Sequence, residues 1–336
     1  MSIPAPEELV PPRNLAHLTE RMFGVTGFVT ILYNKDDERP RVFSRYFHVR
    51  RVAWTARLIA QQISPSASIH LEYLDWLAWA HDLNRWPFSH NSERGFFDQA
   101  QDVPRYLRDA GLDVACAAVR DLQGIISKEF SFLGVESRLV LLADIITGFI
   151  EDPIWLTAAL DVAPTIIPKE VSEYLCIPFQ DSSLILRLKN LSEMLKPGLD
   201  CAQFLRSFDN LFIECLQRYV ATRNIATVST PGSQDFEDKR RWIKEDFMRN
   251  VIFPYNNEKI SHGTRIKEEL VLPMIQRLGD SAAARLTKMT DAQMIDEAIT
   301  QGLIGEEDKE RYVPNLNYMK LNEPDNTFTN YCDRRI

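Results

Sequence analysis

Two histidines and two aspartates stand inside strongly apolar stretches of this 336-residue chain, where a polar side chain is costly unless it is paired. They are His48, His81, Asp82 and Asp144. Imidazole nitrogens and carboxylate oxygens are good ligands for Mn²⁺, Fe²⁺, Ni²⁺ or Zn²⁺, and carboxylates extend the choice to Mg²⁺. The four side chains therefore predict one divalent metal ion, with positions left for water or a substrate. Such a site favours a metal-dependent hydrolase.

Helices are predicted to carry all four residues. Apolar residues recur at helical spacing in three stretches around them, at about 43–63, 70–83 and 136–150. Since neighbouring residues on a helix point about 100° apart, His81 and Asp82 cannot lie on one helix face. Both can reach an ion lodged between helices, with His48 and Asp144 arriving from neighbouring helices. The sequence thus predicts a metal site in the core of a helix bundle.

The rest of the chain is mainly α-helical in its pattern as well. Residues 28–33 form the clearest β-like run, and the turn-rich segment 34–40 after it predicts a small N-terminal hairpin. Further helices are predicted at about 91–100, 113–128, 182–195, 199–222, 236–251, 262–278 and 290–301. Asp152 and Pro153 are expected to close the helix that begins near residue 136.

The segment 227–235 is the one good linker candidate, because it is small and polar and contains Pro231 and Gly232. We therefore predict two units. A helical core with the metal site spans 1–226, and an additional helical C-terminal subdomain spans 236–336. The length of the chain is sufficient for such an arrangement or for one large helical domain.

Composition and net charge limit the kinds of binding partner and the cellular location that the sequence predicts. The net charge of −8 argues against a broadly basic surface, so nucleic acid is a partner that the sequence leaves open but does not indicate. Five scattered cysteines without CxxC spacing favour reduced thiols over a disulfide framework. No apolar run approaches the length of a membrane span, and the N-terminus lacks the features of a signal peptide. We expect a cytoplasmic protein with no membrane partner.

The order of the four residues, H…HD…D, resembles the signature of the HD-domain superfamily of metal-dependent phosphohydrolases. Segment 81–93, HDLNRWPFSHNSE, resembles the HDxGHxPFxH run of the deoxynucleoside triphosphate triphosphohydrolases, the dGTPase-like branch. Segment 45–48 (RYFH) matches the R-x-x-H of that branch, and 143–145 (ADI) is similar to its A-D-I segment. The resemblance covers residues 41–152 well and the rest in outline.

This resemblance implies an HD-domain helical bundle, one divalent metal ion held by the four residues, and a nucleotide substrate. The implied reaction converts a deoxynucleoside triphosphate to deoxynucleoside and triphosphate. Enzymes of this branch are commonly oligomeric, so a homo-oligomer is expected by resemblance. Di-iron oxygenases on the same fold need two more histidines between the HD pair and the last aspartate. Only His90 lies there, which favours a single ion.

Four further residues receive predicted roles. His90 and Glu93 would share a face if a helix begins near His90, and by resemblance this pair serves attack at the α-phosphorus or protonates the leaving 5′-oxygen. The alternative is an N-terminal cap in which Glu93 stabilises the helix dipole. Arg45 would contact phosphate oxygens, and its alternative is a surface salt bridge. Arg85 stands where the branch has histidine, and it is expected to contact phosphate instead.

Two other functions stay open, the first of them because of the departure at Asn84-Arg85. The first is an HD-domain nucleotide phosphatase or phosphodiesterase. The second is a non-catalytic nucleotide-binding regulatory module in which the metal is structural. Lys128 and Arg138 could add positive charge near the site, but solvated charge is the favoured interpretation for both, as it is for the basic cluster at 239–244.

Overall fold

The computed structural model describes most of the chain, namely residues 8–26, 44–63, 69–89, 93, 95–160, 163–194, 201–223, 234–243, 245–247 and 266–312. These residues are mainly α-helical, which confirms the predicted class, and they contain no β-strand. The predicted hairpin lies outside them. Thr26 and Ser44, which flank that stretch, form an isolated antiparallel bridge. No helix in the described part of the chain has both the length and the apolar character needed to cross a membrane.

The helices alternate with short turns along the described residues. In chain order they are α1 (Ala16–Thr19), α2 (Arg45–Ile63), α3 (Leu71–Ala80), α4 (Gln99–Asp109), α5 (Cys116–Ser127), α6 (Val135–Leu160), α7 (Lys169–Leu175), α8 (Ser182–Glu193), α9 (Cys201–Thr222), α10 (Gln234–Arg241), α11 (Leu272–Leu278), α12 (Ala282–Leu286), α13 (Asp291–Thr300) and α14 (Lys309–Tyr312). A π-helical turn, Ile266–Val271, precedes α11.

Helices α2, α3 and α6 pack against one another at the centre of the main core. On α2 the buried residues Val52, Ala56 and Ile59 recur every three or four positions, which forms an apolar stripe. Helix α6 is buried on nearly every side over residues 139–150, as is typical of a central helix. Asp144 lies in the middle of this stretch, so α6 carries a carboxylate into the core.

The predicted end of α6 at Pro153 is wrong, because the helix continues to Leu160. A proline inside a helix removes one backbone hydrogen bond and costs about 3 kcal/mol. Ile154 and Trp155, just beyond the proline, are almost fully buried, and burying a large apolar side chain stabilises by roughly 1.5–3 kcal/mol. Thr157 Oγ1 also donates to the Pro153 carbonyl over 2.6 Å. Packing therefore offsets the missing hydrogen bond.

The predicted helix at about 91–100 is wrong for residues 95–98, which lie outside any helix. Helix α4 runs instead from Gln99 to Asp109 and contains Pro104. The Asp98 carboxylate caps its N-terminus by accepting a hydrogen bond from the Gln101 backbone N–H over 3.0 Å. Leu107 is buried on its inner face. Capping and burial thus sustain a helix that contains a proline, and this helix forms one wall of the site described below.

The described C-terminal residues form a second apolar cluster that includes part of the loop after α3. Its buried members are Trp86, Phe88, Ile266, Leu270, Val271, Met274, Ala282, Leu286, Met294, Ile295, Ala298 and Tyr312. By contrast, Phe236, Ile243 and Phe247 belong to the main core. The division into units 1–226 and 236–336 stays a prediction. The packing shows that the C-terminal helices contact the loop that follows the His81-Asp82 pair.

Candidate metal centre

The ligand atoms of three predicted residues converge between α2, the end of α3 and α6. One ligand atom each from His48, His81 and Asp144 lies within 4.8 Å of the other two. His48 Nε2 is 3.2 Å from Asp144 Oδ1. Both histidines are buried, and Asp144 is partly exposed. The structure therefore contains a cluster that can hold a metal ion.

Each imidazole is oriented by a hydrogen bond from its Nδ1 atom. His48 Nδ1–H donates to the Glu151 carboxylate, and His81 Nδ1–H donates to the Ala78 carbonyl over 2.7 Å. A carbonyl oxygen and an ionised carboxylate can only accept hydrogen bonds. Each Nδ1 atom is therefore assigned the proton. The Nε2 atoms are then left for the cluster. Partners of this kind fix the tautomer of metal-binding histidines.

A cation satisfies the polar atoms of this cluster better than they satisfy one another. His81 Nε2 is buried and makes no hydrogen bond with any described residue. A neutral His48 would direct the lone pair of Nε2 at the Asp144 carboxylate, so that one acceptor faces another. A proton on His48 removes that repulsion but leaves His81 Nε2 without a hydrogen bond to a described residue, although Asp82 Oδ2 lies 3.5 Å from it. A divalent cation satisfies all three ligand atoms at once.

The adjoining cavity has a volume of about 700 Å³. Its described lining residues include four basic and six acidic side chains. The basic residues are Arg45, Arg85, Lys128 and Arg240, and the acidic ones are Asp82, Glu93, Asp98, Asp144, Glu151 and Asp152. The volume lies within the range of small-molecule sites.

Asp82, the fourth predicted ligand, lies beside the cluster. Its Oδ2 atom is 3.5 Å from His81 Nε2 and accepts a hydrogen bond from Arg45 Nη1 over 3.0 Å. Its Oδ1 atom accepts from Arg85 Nη2 and from Gln99 Nε2. Burial raises the pKa of Asp82, but the charge of Arg85, followed by those of His81 and Arg45, outweighs burial and holds the pKa well below its ordinary value. Asp82 is thus ionised, and its role as a ligand stays a prediction.

The two arginines predicted to contact phosphate are buried, and both bind Asp82 in this structure. Arg45 Nη2 also donates to Ser89 Oγ over 3.2 Å, and Arg85 Nη1 donates to Glu93 Oε2 over 2.7 Å. Arg45 is therefore no surface salt bridge, which corrects the alternative interpretation of this residue. Both arginines line the cavity, and their contact with phosphate stays a prediction.

Glu93, one half of the predicted acid–base pair, is buried beside Arg85. Its other carboxylate oxygen accepts a hydrogen bond from the Trp86 backbone N–H over 2.9 Å. His90 lies outside the described residues, so the pairing of His90 with Glu93 stays a prediction. In the structure Glu93 fixes Arg85 and the backbone of the loop after α3.

That loop is held in a strained conformation by distant segments. Phe88 and Ser89 both have left-handed backbones, with φ of 61° and 49°, which is unfavourable for residues other than glycine. The Phe88 backbone N–H donates to Asp291 Oδ1 over 2.7 Å, and Ser89 Oγ donates to the Thr26 carbonyl. The first residue of α13 and the N-terminal segment therefore fix the loop that borders the metal centre.

A series of buried charges extends from His48 away from the cavity. Glu151, which accepts from His48, also accepts from Arg51 Nε over 2.9 Å. Arg51 Nη1 in turn donates to Asp209 Oδ1 on α9 over 2.6 Å. Glu151 lies seven residues after Asp144, or about two turns along the same face of α6. That spacing could have identified Glu151 from the sequence, whereas nothing local connects Arg51 with Asp209.

Comparison with known proteins does not extend this description. The chain matches no protein-family model, and no curated protein is significantly similar to it in sequence.

Metal binding should release a proton from His48. Burial lowers the pKa of His48, but the charge of Glu151 and hydrogen bonds with Asp144 and Glu151 outweigh burial and raise it to about 9. Since the imidazole must be neutral to bind a metal, we expect Mn²⁺ affinity to rise about tenfold per pH unit between about pH 7 and about pH 8. Calorimetric titration in two buffers with different ionisation enthalpies should show release of about one proton per ion at neutral pH.

The Glu151→Gln protein provides the control, because it keeps an acceptor near Nδ1 without the negative charge that raises the pKa of His48. Its proton release should be smaller at the same pH. By the same linkage, the stability that His48 contributes to the metal-free protein is present below pH 6.5 and is lost as pH rises through about 9. No proton release from the wild-type protein at neutral pH would contradict this account.

Proposed function

We propose that this protein is a metal-dependent phosphohydrolase of the HD type that acts on nucleotides. The preferred reaction is hydrolysis of a deoxynucleoside triphosphate to deoxynucleoside and triphosphate. The observation that carries the proposal is the convergence of one ligand atom each from His48, His81 and Asp144, within 4.8 Å of one another, at a cavity of about 700 Å³. These residues occur in the H…HD…D order on which the resemblance rests.

His48, His81 and Asp144 would hold the ion, with Asp82 beside them. A divalent ion held there would polarise a phosphoryl oxygen of the substrate and would stabilise the negative charge that develops during hydrolysis. Glu151 and the Ala78 carbonyl keep the two imidazoles in the required tautomers. The protein thus supplies a fixed set of donor atoms and excludes bulk water from most of it.

In the proposed reaction the oxygen of a water molecule attacks the α-phosphorus, and the bond between that phosphorus and the 5′-oxygen breaks. The attacking water loses a proton, and the leaving 5′-oxygen must gain one. His90 is the predicted carrier, oriented by Glu93. Phe97 lines the cavity and stacks on Trp86 with 4.6 Å between ring centroids, so its ring is a candidate surface for the base.

One observation favours the phosphatase or phosphodiesterase alternative. Arg85 replaces the histidine of the triphosphohydrolase motif and forms ion pairs with Asp82 and Glu93. A guanidinium cannot exchange a proton near neutral pH, so this position cannot perform acid–base chemistry as a histidine does. The substrate would then be another phosphate ester of a nucleotide. Self-association and a cytoplasmic location stay predictions.

Phosphorus NMR of the products tests the proposal. Wild-type protein with Mn²⁺ receives each of the four deoxynucleoside triphosphates in turn. Asp144→Asn protein serves as the inactive variant, because it removes one ligand charge and preserves side-chain shape. His70→Asn protein is the matched control. His70 is exposed and caps the N-terminus of α3 by accepting from the Tyr73 backbone N–H, and asparagine is a good substitute there.

Intact triphosphate formed by the wild-type and His70→Asn proteins, but not by Asp144→Asn, is the expected result. Orthophosphate or pyrophosphate with the same dependence on Asp144 would replace the triphosphohydrolase assignment with the phosphatase alternative. Protein that binds Mn²⁺ and nucleotide but forms no product from these or other phosphate esters would overturn the enzymatic proposal in favour of a regulatory module.

A further inference from the structure

Lys128 occupies a backbone position that is normally left to glycine. It forms the C-terminal cap of α5 with φ of 62° and ψ of 36°, which is the left-handed conformation. Helices often end in this way, but a side chain with a Cβ atom is disfavoured there and glycine is the usual residue. Residues held in such conformations cluster at functional sites. The position of Lys128 therefore calls for a role of its side chain.

The Lys128 side chain reaches the candidate metal centre. Its Nζ atom is 3.9 Å from Asp144 Oδ2, whereas Asp144 Oδ1 faces His48. The side chain is 42% exposed and lines the cavity. An ion pair this exposed adds little to stability, so it does not by itself favour lysine over glycine at a left-handed position. The ammonium group is accessible both to Asp144 and to any ligand in the cavity.

The described residues that line the cavity include four basic side chains, which are in two different situations. Arg45 and Arg85 are buried and bind Asp82. Lys128 and Arg240 are partly exposed, and Arg240 pairs with Glu237 on its own helix. Among the described residues that line the cavity, Lys128 is thus the cation that combines exposure with proximity to a candidate metal ligand.

Occupation of the metal centre would change the electrostatic environment of Lys128. Asp144 would share its charge with the ion, which brings two positive groups close together. Phosphate oxygens are anionic acceptors that can bind a cation and an ammonium group together. We propose that Lys128 binds the phosphate chain of the substrate next to the metal centre. This role rests on the proposed function and identifies a substrate-binding residue for it.

The test compares two glycine substitutions at left-handed helix caps. Lys128→Gly removes the ammonium group and relieves the backbone, so the variant should fold at least as well as the wild-type protein. Cys176→Gly makes the same backbone change at the cap of α7, where φ is 55°, away from the residues that line the cavity. Lys128→Arg retains the positive charge. The probe is inorganic triphosphate, titrated calorimetrically with Mn²⁺ in excess over the triphosphate.

We expect Lys128→Gly to weaken triphosphate binding about 10- to 100-fold, the change that loss of a charge-assisted hydrogen bond brings. Cys176→Gly should bind as the wild-type protein does, and Lys128→Arg should recover most of the affinity. With a hydrolysed nucleotide, KM of Lys128→Gly should rise by a similar factor and change more than kcat.

Two results would overturn the assignment in distinguishable ways. If wild-type and Lys128→Gly proteins bind triphosphate equally, or if Cys176→Gly loses as much affinity, the role of Lys128 is wrong and the proposed function stands. If the wild-type protein neither binds triphosphate nor hydrolyses any nucleotide, the proposed function is wrong, and the role of Lys128 falls with it.

Discussion

His81→Ala protein should fold without metal but lose the stabilisation that Mn²⁺ gives to the wild-type protein. A ligand present at about 100 times its dissociation constant stabilises the folded state by about 2.7 kcal/mol. His81 Nε2 is buried and makes no hydrogen bond with a described residue, although Asp82 Oδ2 lies 3.5 Å away, so its removal costs the metal-free protein little at that atom. The bond from Nδ1 to Ala78 and the packing of the ring are also lost. Urea unfolding with and without Mn²⁺ measures both quantities.

The expected loss of Mn²⁺ affinity follows from the predicted role of His81 Nε2 as a ligand. Loss of a partner that merely orients a ligand weakens metal binding about 10- to 100-fold, so loss of the ligand itself should weaken it more. His70→Asn is again the control, because it changes an exposed histidine at the other end of α3 and should preserve the full response to Mn²⁺. An unchanged Mn²⁺ response in His81→Ala protein would exclude His81 as a ligand.

The three clustered side chains could be predicted from sequence because the evidence for them is local. His48, His81 and Asp144 each interrupt an apolar helical stretch, and such residues must find partners inside the core. The same apolar periodicity predicts the mainly α class and the central helices. Asp82 shows the limit of this reasoning. Its type and place in the sequence indicate a ligand, but the two arginines that bind its carboxylate only come together in the folded chain.

The remaining features depend on packing or backbone conformation that local patterns do not encode. Pro153 should end α6 by local rules, yet burial of the residues beyond it sustains the helix. From its residue type alone, Lys128 is expected to be a solvated surface residue. Only the left-handed cap places its ammonium group near Asp144. The contact between Arg51 and Asp209 joins residues 158 positions apart. No spacing rule identifies such a pair.

Replacing Arg51 with leucine should destabilise the protein by about 3–5 kcal/mol, the cost of removing one partner from a buried ion pair. Arg51 is fully buried, and its guanidinium group lies 4.9 Å from the centre of the Phe208 ring. Leucine can fill part of that apolar space, but Glu151 and Asp209 would each lose a donor in a buried environment. Urea denaturation at neutral pH measures the loss.

Arg57→Leu is the matched control on the same helix. Arg57 donates to both oxygens of Asp75, but its side chain is 29% exposed, so water can replace the lost partner. An ion pair of this kind contributes about 0–1 kcal/mol. The contrary result is that Arg51→Leu lowers the free energy of unfolding no more than Arg57→Leu does. That result would show that the buried series of charges adds nothing to stability beyond a surface pair.

The same substitution also separates a structural role of this series from a functional one. Glu151 accepts from both His48 and Arg51, so loss of Arg51 should loosen the carboxylate that orients the His48 imidazole. We therefore expect Mn²⁺ affinity of Arg51→Leu protein to fall about 10- to 100-fold under conditions in which it remains folded. Arg57→Leu protein should bind Mn²⁺ normally. Reduced stability with unchanged Mn²⁺ affinity would mean that Arg51 stabilises the core but has no effect on the metal centre. Glu151 would then orient His48 without a contribution from Arg51.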